Sequence, residues 1–275
     1  MMSRGTYCFW ISNFRKYISY QESIWIITHL TKCNHVYLLT NMDKLVPYDA
    51  TLILESAYKK LKKGVPVSYI IGSSYFMGNS FLVSSGVMIP RPETELLLMH
   101  MFNKLSGYKD QRRILDLGTG SGIVAIMAKK FFPRHEVWAT DISHYALEVA
   151  KKNSLLHGVD IRLAYGSWYD AVQGEKFDLI ASNPPYISDD DPHIHSLRNE
   201  PQIALISEQY GYGDIVEIAI GAPYHLHKGG CLMVEHGWQQ GSGCQRIFHE
   251  NGFTIVSTHK DSQFRDRVTS GMYIA

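Results

Sequence analysis

Asn183, Pro184, Pro185 and Tyr186 follow directly on the apolar run FDLIAS at 177–182. The run reads as a buried strand, and strand ends in open α/β sheets are where ligands bind. These four residues carry a particular chemistry. The side-chain oxygen of Asn183 and the backbone carbonyl of Pro184 are two acceptors on one short loop. Together they can hold both N–H groups of a planar amino group. A nitrogen whose lone pair is delocalised is a poor nucleophile, and such holding polarises it and aims it. Two prolines stiffen the loop at low entropic cost. Tyr186 offers a flat face to a planar amide or base. An Asn-Pro-Pro turn is also ordinary loop punctuation, so the segments upstream decide its meaning.

Upstream, Asp116-Leu-Gly-Thr-Gly-Ser-Gly122 lies between the strand RRILDLG and the helix SGIVAIMAKKFF. Glycines there let the backbone turn sharply, and the helix N-terminus offers free N–H groups. The G-x-G-x-x-G spacing is absent, because Gly118, Gly120 and Gly122 alternate. No Lys-Ser/Thr pair follows, as a P-loop requires. The pattern Asp-x-Gly-x-Gly-x-Gly is similar to that of S-adenosylmethionine (AdoMet) methyltransferases, with Gly118, Thr119, Gly120, Ser121 and Gly122 against the amino-acid end of the cofactor. From this motif alone a nucleotide dehydrogenase is the alternative. Asp141 closes the next strand, WATD, where a carboxylate accepts from vicinal ribose hydroxyls. It also sits where a helix N-cap is needed, and Ser143 can serve that purpose while Asp141 binds. Trp168 follows the strand IRLAYG and has a planar ring suited to the adenine pocket. In that setting D/N-P-P-Y/F resembles the mark of methyltransferases acting on a π-conjugated amino nitrogen. The acceptor is then an adenine or cytosine amine, or a glutamine amide. Asn183 counts on both the cofactor and the acceptor side.

The elements that must position these residues are legible from 112 onward. Strands (RRILDLG, EVWATD, IRLAYG, FDLIASN, GGCLMVEHG) alternate with helices (SGIVAIMAKKFF, HYALEVAKKNSLLHG, about 213–227). That alternation implies βαβ units and a mainly parallel sheet. GFTIVSTHKD and RDRVTSGMYIA read as two final strands that pair antiparallel, because a parallel pair needs a crossover. Before 112, PRPETELLLMHMF reads as a helix with Pro92 in its first turn and Glu93 and Glu95 at the favourable end of its dipole. SYIIGSSYFMGNSFLVSSGVMIP, with short β-branched runs broken by Gly and Asn, reads as a β-hairpin. DATLILESAYKKLKK at 49–63 reads as a helix with an Asp or Thr cap and lysines before Gly64. YQESIWIITHL has helical spacing but many β-branched residues. The expected division is a helical domain at 1–65, a hairpin linker at 66–90 and an α/β domain at 91–275.

Composition narrows the class. The 275 residues, 45% apolar, suffice for one large or two smaller cores, and the formal charge is +1. Near-neutrality argues against a large sequence-independent DNA footprint. His-X-His occurs at 193–195 and 225–227 but lacks companion ligands, so no metal is expected. The four cysteines form no C-x-x-C pair and suit free thiols in a reducing compartment. Arg15-Lys16 interrupts the N-terminal region too early for a signal-peptide core, and no apolar stretch is long enough to span a membrane. The expected location is the cytoplasm.

GVPVSYIIG, F-x-V-x-x-G-V-M-IPRPETELLL, ILDLGTGSG, SNPPYI, EPQIAL at 200–205, EHGWQQG at 235–241 and RDRVTSG at 265–271 together resemble one family. It is that of the protein-(glutamine-N5) methyltransferases of class 1 peptide chain release factors, PrmC/HemK. The match runs from about residue 50 to the C-terminus. NPPY alone is shared with DNA methyltransferases, and IPRPETE with EHGWQQG makes it specific. The resemblance implies a Rossmann-like seven-stranded class I methyltransferase domain after a small helical domain and a β-hairpin linker. It implies AdoMet as donor and the glutamine of a Gly-Gly-Gln tripeptide in release factors as acceptor, with no nucleic acid or membrane partner. It further implies that Gly118 to Gly122 line the methionine end, Asp141 the ribose and Trp168 the adenine region. Asn183, Pro184, Pro185 and Tyr186 then hold the acceptor amide, and Arg91 to Glu95 close over the cofactor. Glu200 and Glu235 read as salt-bridged scaffold. One departure is KDSQFRDRV, which lacks the glycine expected before RDR. Two other readings remain: an N6-adenine methyltransferase of nucleic acid, which needs a basic recognition insert, and a non-catalytic AdoMet-binding subunit, which needs a degraded NPPY or glycine loop. Neither feature is evident.

Overall fold

The computed structural model describes residues 5–274. The chain divides into two compact units, one ending at Ser73 and the other running from Ser74.

The first unit is helical: α1 (Tyr7–Phe14), α2 (Tyr20–Thr31), α3 (His35–Thr40), α4 (Tyr48–Lys62) and α5 (Val67–Ile71). The ambiguous stretch around residue 20 is helical because Ser19 and Glu22 form a capping box, each bonding the other's backbone N–H. That closes two free donors and outweighs the β-branched residues, whose penalties are tenths of a kcal/mol. Trp10, Phe14, Ile26, Ile27, Leu38 and Leu54 are fully buried and make this unit's own core. Helix α4 starts one residue before the expected cap, after Pro47, with no side-chain cap. SYII belongs to α5 rather than to a hairpin: Pro66 precedes that turn of helix and Gly72, at φ +82°, ends it. The hairpin is shorter than expected. It comprises β1 (Ser73–Phe76) and β2 (Asn79–Leu82). Met77 and Gly78 turn it with φ of +46° and +71°, the mirror-image geometry two-residue hairpins prefer.

The second unit continues with α6 (Thr94–Ser106), β3 (Arg113–Leu117), α7 (Ile123–Phe131), β4 (Glu136–Asp141), α8 (His144–Leu156), β5 (Arg162–Tyr165) and β6 (Phe177–Ser182). A single distorted turn, α9 (Glu208–Gly211), then leads into α10 (Gly213–His225), β7 (Leu226–Glu235), α11 (Gly241–Glu250), β8 (Phe253–Lys260) and β9 (Asp266–Tyr273). The seven-stranded sheet has the order β5-β4-β3-β6-β7-β9-β8. Strands β3 to β7 are parallel, and β9 enters antiparallel between β7 and β8. Successive residues of β3 serve opposite faces. Ile114 packs with Leu97 of α6 and Ile126 of α7, and Leu115 packs with Ile218 of α10 and Phe248 of α11. This is a Rossmann-like, doubly covered sheet. Its order reverses between β3 and β6, and the crevice at their C-terminal ends is the position open sheets use for ligands. At the missing glycine, Phe264 itself adopts the left-handed conformation, φ +60°. Asp261 holds that turn by accepting from the backbone of Gln263 and Arg265 at 2.8 and 3.0 Å. Among the described residues no helix is long and apolar enough to cross a membrane.

Candidate active site

A cavity of about 330 Å³ lies at that crevice. Of the residues singled out from sequence, Gly118, Thr119, Gly120, Ser121, Asp141, Trp168, Asn183 and Pro185 line it; Gly122, Pro184 and Tyr186 do not.

The glycine turn has alternating left-handed residues, with φ of +68° at Gly118, +56° at Gly120 and +85° at Gly122. Only glycine adopts this conformation without strain. The turn is tied to the next strand: Thr119 N donates to the Thr140 carbonyl at 2.9 Å, and Gly120 N to Asp141 Oδ2 at 2.8 Å. A Cβ at Gly120 would meet no atom within 4 Å, so the space beside it is the cavity itself. Gly122 packs the base of α7 against Ala150 of α8, beside the Ile126 side chain of α7.

Two carboxylates border this side. Asp116 is fully buried, and its Oδ2 accepts from Thr119 Oγ1 at 2.6 Å and from Ala125 N at 3.1 Å. Burial pushes its pKa up to about 7, against the pull of those two bonds. Asp141 accepts from Gly120 N through one oxygen and from Ser143 N through the other, both at 2.8 Å. Burial raises it too, while the N–H donors oppose the shift. Each Asp141 oxygen keeps acceptor capacity toward the cavity. Ser143 caps α8 by accepting from Ala146 N, so capping and cavity-facing duties fall on different residues.

Trp168 sits at φ +40°, rare for a bulky side chain. Thr140 Oγ1 donates to its carbonyl at 3.4 Å, and its Cζ3 would stand 3.3 Å from a Cβ at position 118. Gly118 therefore also makes room for this ring.

On the other side, Asn183 Nδ2 donates to Thr94 Oγ1, at the start of α6, at 3.0 Å. Just before it, Ser182 Oγ donates to the Leu117 carbonyl at 2.8 Å, joining the ends of β6 and β3. Tyr186 faces away from the cavity. Its hydroxyl donates to Glu235 Oε1 at 3.4 Å, and its carbonyl accepts from Gln240 Nε2 at 3.2 Å. Burial raises the Tyr186 phenol far above its ordinary value, so it stays protonated. Glu235 is fully buried, and burial lifts it to about 7; the Tyr186 hydroxyl pulls it down and nearby Glu93 pushes it up, while its Oε2 has no hydrogen-bond partner among the described residues.

Of the segment Arg91 to Glu95 expected to close over the cofactor, Thr94, the first residue of α6, lines the cavity. Sequence reading missed Met88 and Pro90, from the segment before α6, and Ile203 and Ala204, from the loop after β6. Glu200 joins these two walls. It pairs with Arg91 and accepts from Ile89 N at 3.1 Å. Its place in EPQIAL was the available signal, and a partner 109 residues away was not legible.

The chain matches the Methyltransferase small domain family over residues 92–199 and the PrmC N-terminal domain family over 19–72. It is 41% identical over 249 residues to the release factor glutamine methyltransferase of Xylella fastidiosa strain Temecula1, covering 90% of each chain. It is 38% identical to the protein of that name from Neisseria gonorrhoeae, covering 92% of this chain and 93% of that one. Among solved structures, a methyltransferase from Pyrococcus furiosus superposes with a TM-score of 0.57 at 18% identity, over 80% of this chain and all of that one. The T. thermophilus 16S rRNA N2 G1207 methyltransferase superposes with a TM-score of 0.53 at 17% identity, over 73% of this chain and 49% of that one. These two likenesses concern the fold. Identity of this degree over nine-tenths of both sequences settles kinship: the chain belongs to the release factor glutamine methyltransferase family.

Proposed function

We propose that this enzyme transfers a methyl group from AdoMet to the side-chain amide nitrogen, N5, of the glutamine in the Gly-Gly-Gln motif of class 1 peptide chain release factors. The observation that carries the reading is one cavity bordered by a glycine-rich turn and the carboxylates of Asp116 and Asp141 on one side and by Asn183 on the other, in a chain of this family.

The residues fit the cofactor. The open space beside Gly120 admits a ligand against backbone. Asp116 suits an ammonium group, and a cation there stabilises its ionised form. Asp141 suits a ribose diol and Trp168 an adenine ring. Bound there, AdoMet supplies an electrophilic methyl group on a sulfonium. The work of this chain is then to orient the acceptor. Asn183 Oδ1 and the Pro184 carbonyl take its two N–H groups, which fixes the plane of the amide and where its nitrogen points. A neutral amide oxygen does not take a proton at ordinary pH, so the role of Asn183 is orientation and polarisation rather than acid–base transfer. Pro185 stiffens the loop, and Tyr186 anchors its end through Glu235 and Gln240.

The test is transfer of label from AdoMet to unmodified release factor, with duplex DNA as the competing acceptor. Label is expected in the release factor and should be lost with its Gly-Gly-Gln glutamine. Asn183→Ala is expected to lower the transfer rate about 100-fold, the usual cost of losing one aligned polar contact, and to leave AdoMet affinity near wild type. Label in DNA alone would overturn the acceptor assignment, and an unchanged rate in Asn183→Ala would overturn the role of Asn183.

A further inference from the structure

Asn153 lies in the last turn of α8, fully buried. Asparagine is a poor helix former, and a buried amide costs stability unless its hydrogen bonds are made. Here three are made, all to backbone. Oδ1 accepts from Leu82 N at 2.7 Å. Nδ2 donates to the Leu82 carbonyl at 3.0 Å and to the Ser121 carbonyl at 2.8 Å. Backbone donors and acceptors cannot exchange roles, so this set admits one orientation of the amide only.

The two partners belong to two walls of the cavity. Ser121 is part of the glycine turn and lines it. In a regular helix start the Ser121 carbonyl would be taken by the N–H four residues on. That donor, Ala125 N, goes to Asp116 Oδ2 instead, at 3.1 Å. The carbonyl therefore needs another partner, and Asn153 supplies it. The same peptide unit is fixed at its other end, where Gly122 N donates to the Thr119 carbonyl at 2.9 Å. Leu82 ends β2, and the segment that follows brings Gly86, Val87, Met88 and Pro90 to the cavity. Helix α8 holds that segment and its hairpin at two further points. Tyr145 Oη donates to Ser84 Oγ at 2.9 Å, and His157 Nε2 donates to the Ser80 carbonyl at 3.0 Å. Of these three side chains, Asn153 is the one that also reaches the glycine turn.

We propose that Asn153 is a positioning residue for AdoMet: its one amide ties the glycine turn to the 83–90 segment, so that the two walls keep the spacing the cofactor needs. The proposal rests on the cavity being the AdoMet site and is independent of the choice of acceptor. None of the three bonds reaches the Asn183–Tyr186 loop, so loss of Asn153 acts on the cofactor side.

The test is Asn153→Leu, which keeps the branch at Cγ and removes all three bonds. Steady-state methylation of release factor gives KM for AdoMet and kcat, and titration calorimetry gives AdoMet affinity directly. KM is expected to rise about 10-fold, with binding weakened to match, while kcat at saturating AdoMet stays within about twofold of wild type. A merely structural role gives the opposite split: part of the enzyme unfolds, kcat falls with the active fraction and KM is unmoved. That split, or unchanged affinity, overturns the proposal. If Asn153→Leu does not fold, hydrogen exchange in the wild-type protein decides. Leu82 does not line the cavity, but its N–H is held by the amide that holds the glycine turn. Saturating AdoMet is therefore expected to slow exchange at the Leu82 and Gly122 amides by the same factor. Slowing at Gly122 without slowing at Leu82, or at neither, overturns the link. Wild-type protein that binds no AdoMet refutes the cofactor site, and the proposal with it. Protein that binds AdoMet but labels no release factor refutes the acceptor alone, and the calorimetric comparison still decides the role of Asn153.

Discussion

Gly120→Ala and Gly122→Ala add the same methyl group two residues apart and are expected to fail in different ways. Both positions are left-handed, with φ of +56° and +85°. Any L side chain there costs about 1–2 kcal/mol of backbone strain. At 122 the new Cβ would stand 3.0 Å from Ala150 Cβ and Ile126 Cδ1 and 3.2 Å from Ala150 Cα. Ala150 is fully buried in α8 and has nowhere to retreat. Overpacking of this kind adds about 1–3 kcal/mol. The expected loss of stability for Gly122→Ala is therefore about 2–5 kcal/mol. At 120 the Cβ would meet nothing within 4 Å, so only the strain remains and stability falls by about 1–2 kcal/mol. The methyl group instead occupies the space a cofactor needs against the backbone. An overpacking cost of about 1–3 kcal/mol on the bound state corresponds to roughly 5- to 150-fold weaker AdoMet binding. Urea denaturation reads the first quantity and titration calorimetry the second. Wild-type AdoMet affinity in Gly120→Ala would falsify the glycine turn as a cofactor cradle. Equal stability losses in the two variants would show that the packing beneath α7 is not what holds Gly122.

Three further outcomes are expected. Asp141→Ala removes two half-buried, charge-assisted acceptors and should weaken AdoMet binding at least 10-fold, from about 1.5–3 kcal/mol per such bond; calorimetry showing unchanged affinity would remove Asp141 from the ribose site. Asp116 has a folded-state pKa of about 7 against an ordinary 3.8, so the cofactor-free fold prefers its neutral form. The ionisation cost is absent below pH 4, builds between pH 4 and 7 and is complete above, reaching about 4 kcal/mol. Asp116→Asn avoids it, so the stability difference between variant and wild type should grow over that window, and a flat difference refutes the assignment. Arg91→Ala strands the buried Glu200 carboxylate and should cost about 3 kcal/mol, whereas Arg91→Met/Glu200→Leu should recover most of it. Equal losses in single and double variants, read from denaturation midpoints, would mean the pair does not hold the two walls together.

The α/β half was legible because its signals are local. Alternating strand and helix periods, the spacing of Gly118, Gly120 and Gly122, and a carboxylate closing β4 need only a few neighbouring residues. SYII was read as strand because β-branched content outweighed its flanking Pro66 and Gly72, which punctuate a turn of helix equally well. The orientation of Tyr186 was not legible either. Alternation along β6 does not extend into a loop with two prolines, and the ring packs toward Glu235, 49 residues on. Thr94 read as part of a helix start. Its bond to Asn183 spans 89 residues, and no sequence period encodes such a pairing.

The hydrogen bonds around the cavity fall into two braced frames. One binds the loops after β3, β4 and β5 to each other, through Thr119 to Thr140, Gly120 to Asp141 and Thr140 to Trp168. The other binds the loop after β6 to α6 and to the loop after β7, through Asn183 to Thr94 and Gln240 to Tyr186. Besides the ladder between β3 and β6, Ser182 to Leu117 bridges the seam between them. On the proposed assignment, donor and acceptor would rest on separately stiffened platforms. One platform could then be rebuilt for a different nucleophile while the other kept its cofactor geometry. The topology is modular at the point where the strand order reverses, and a change of acceptor need touch only half of the cavity.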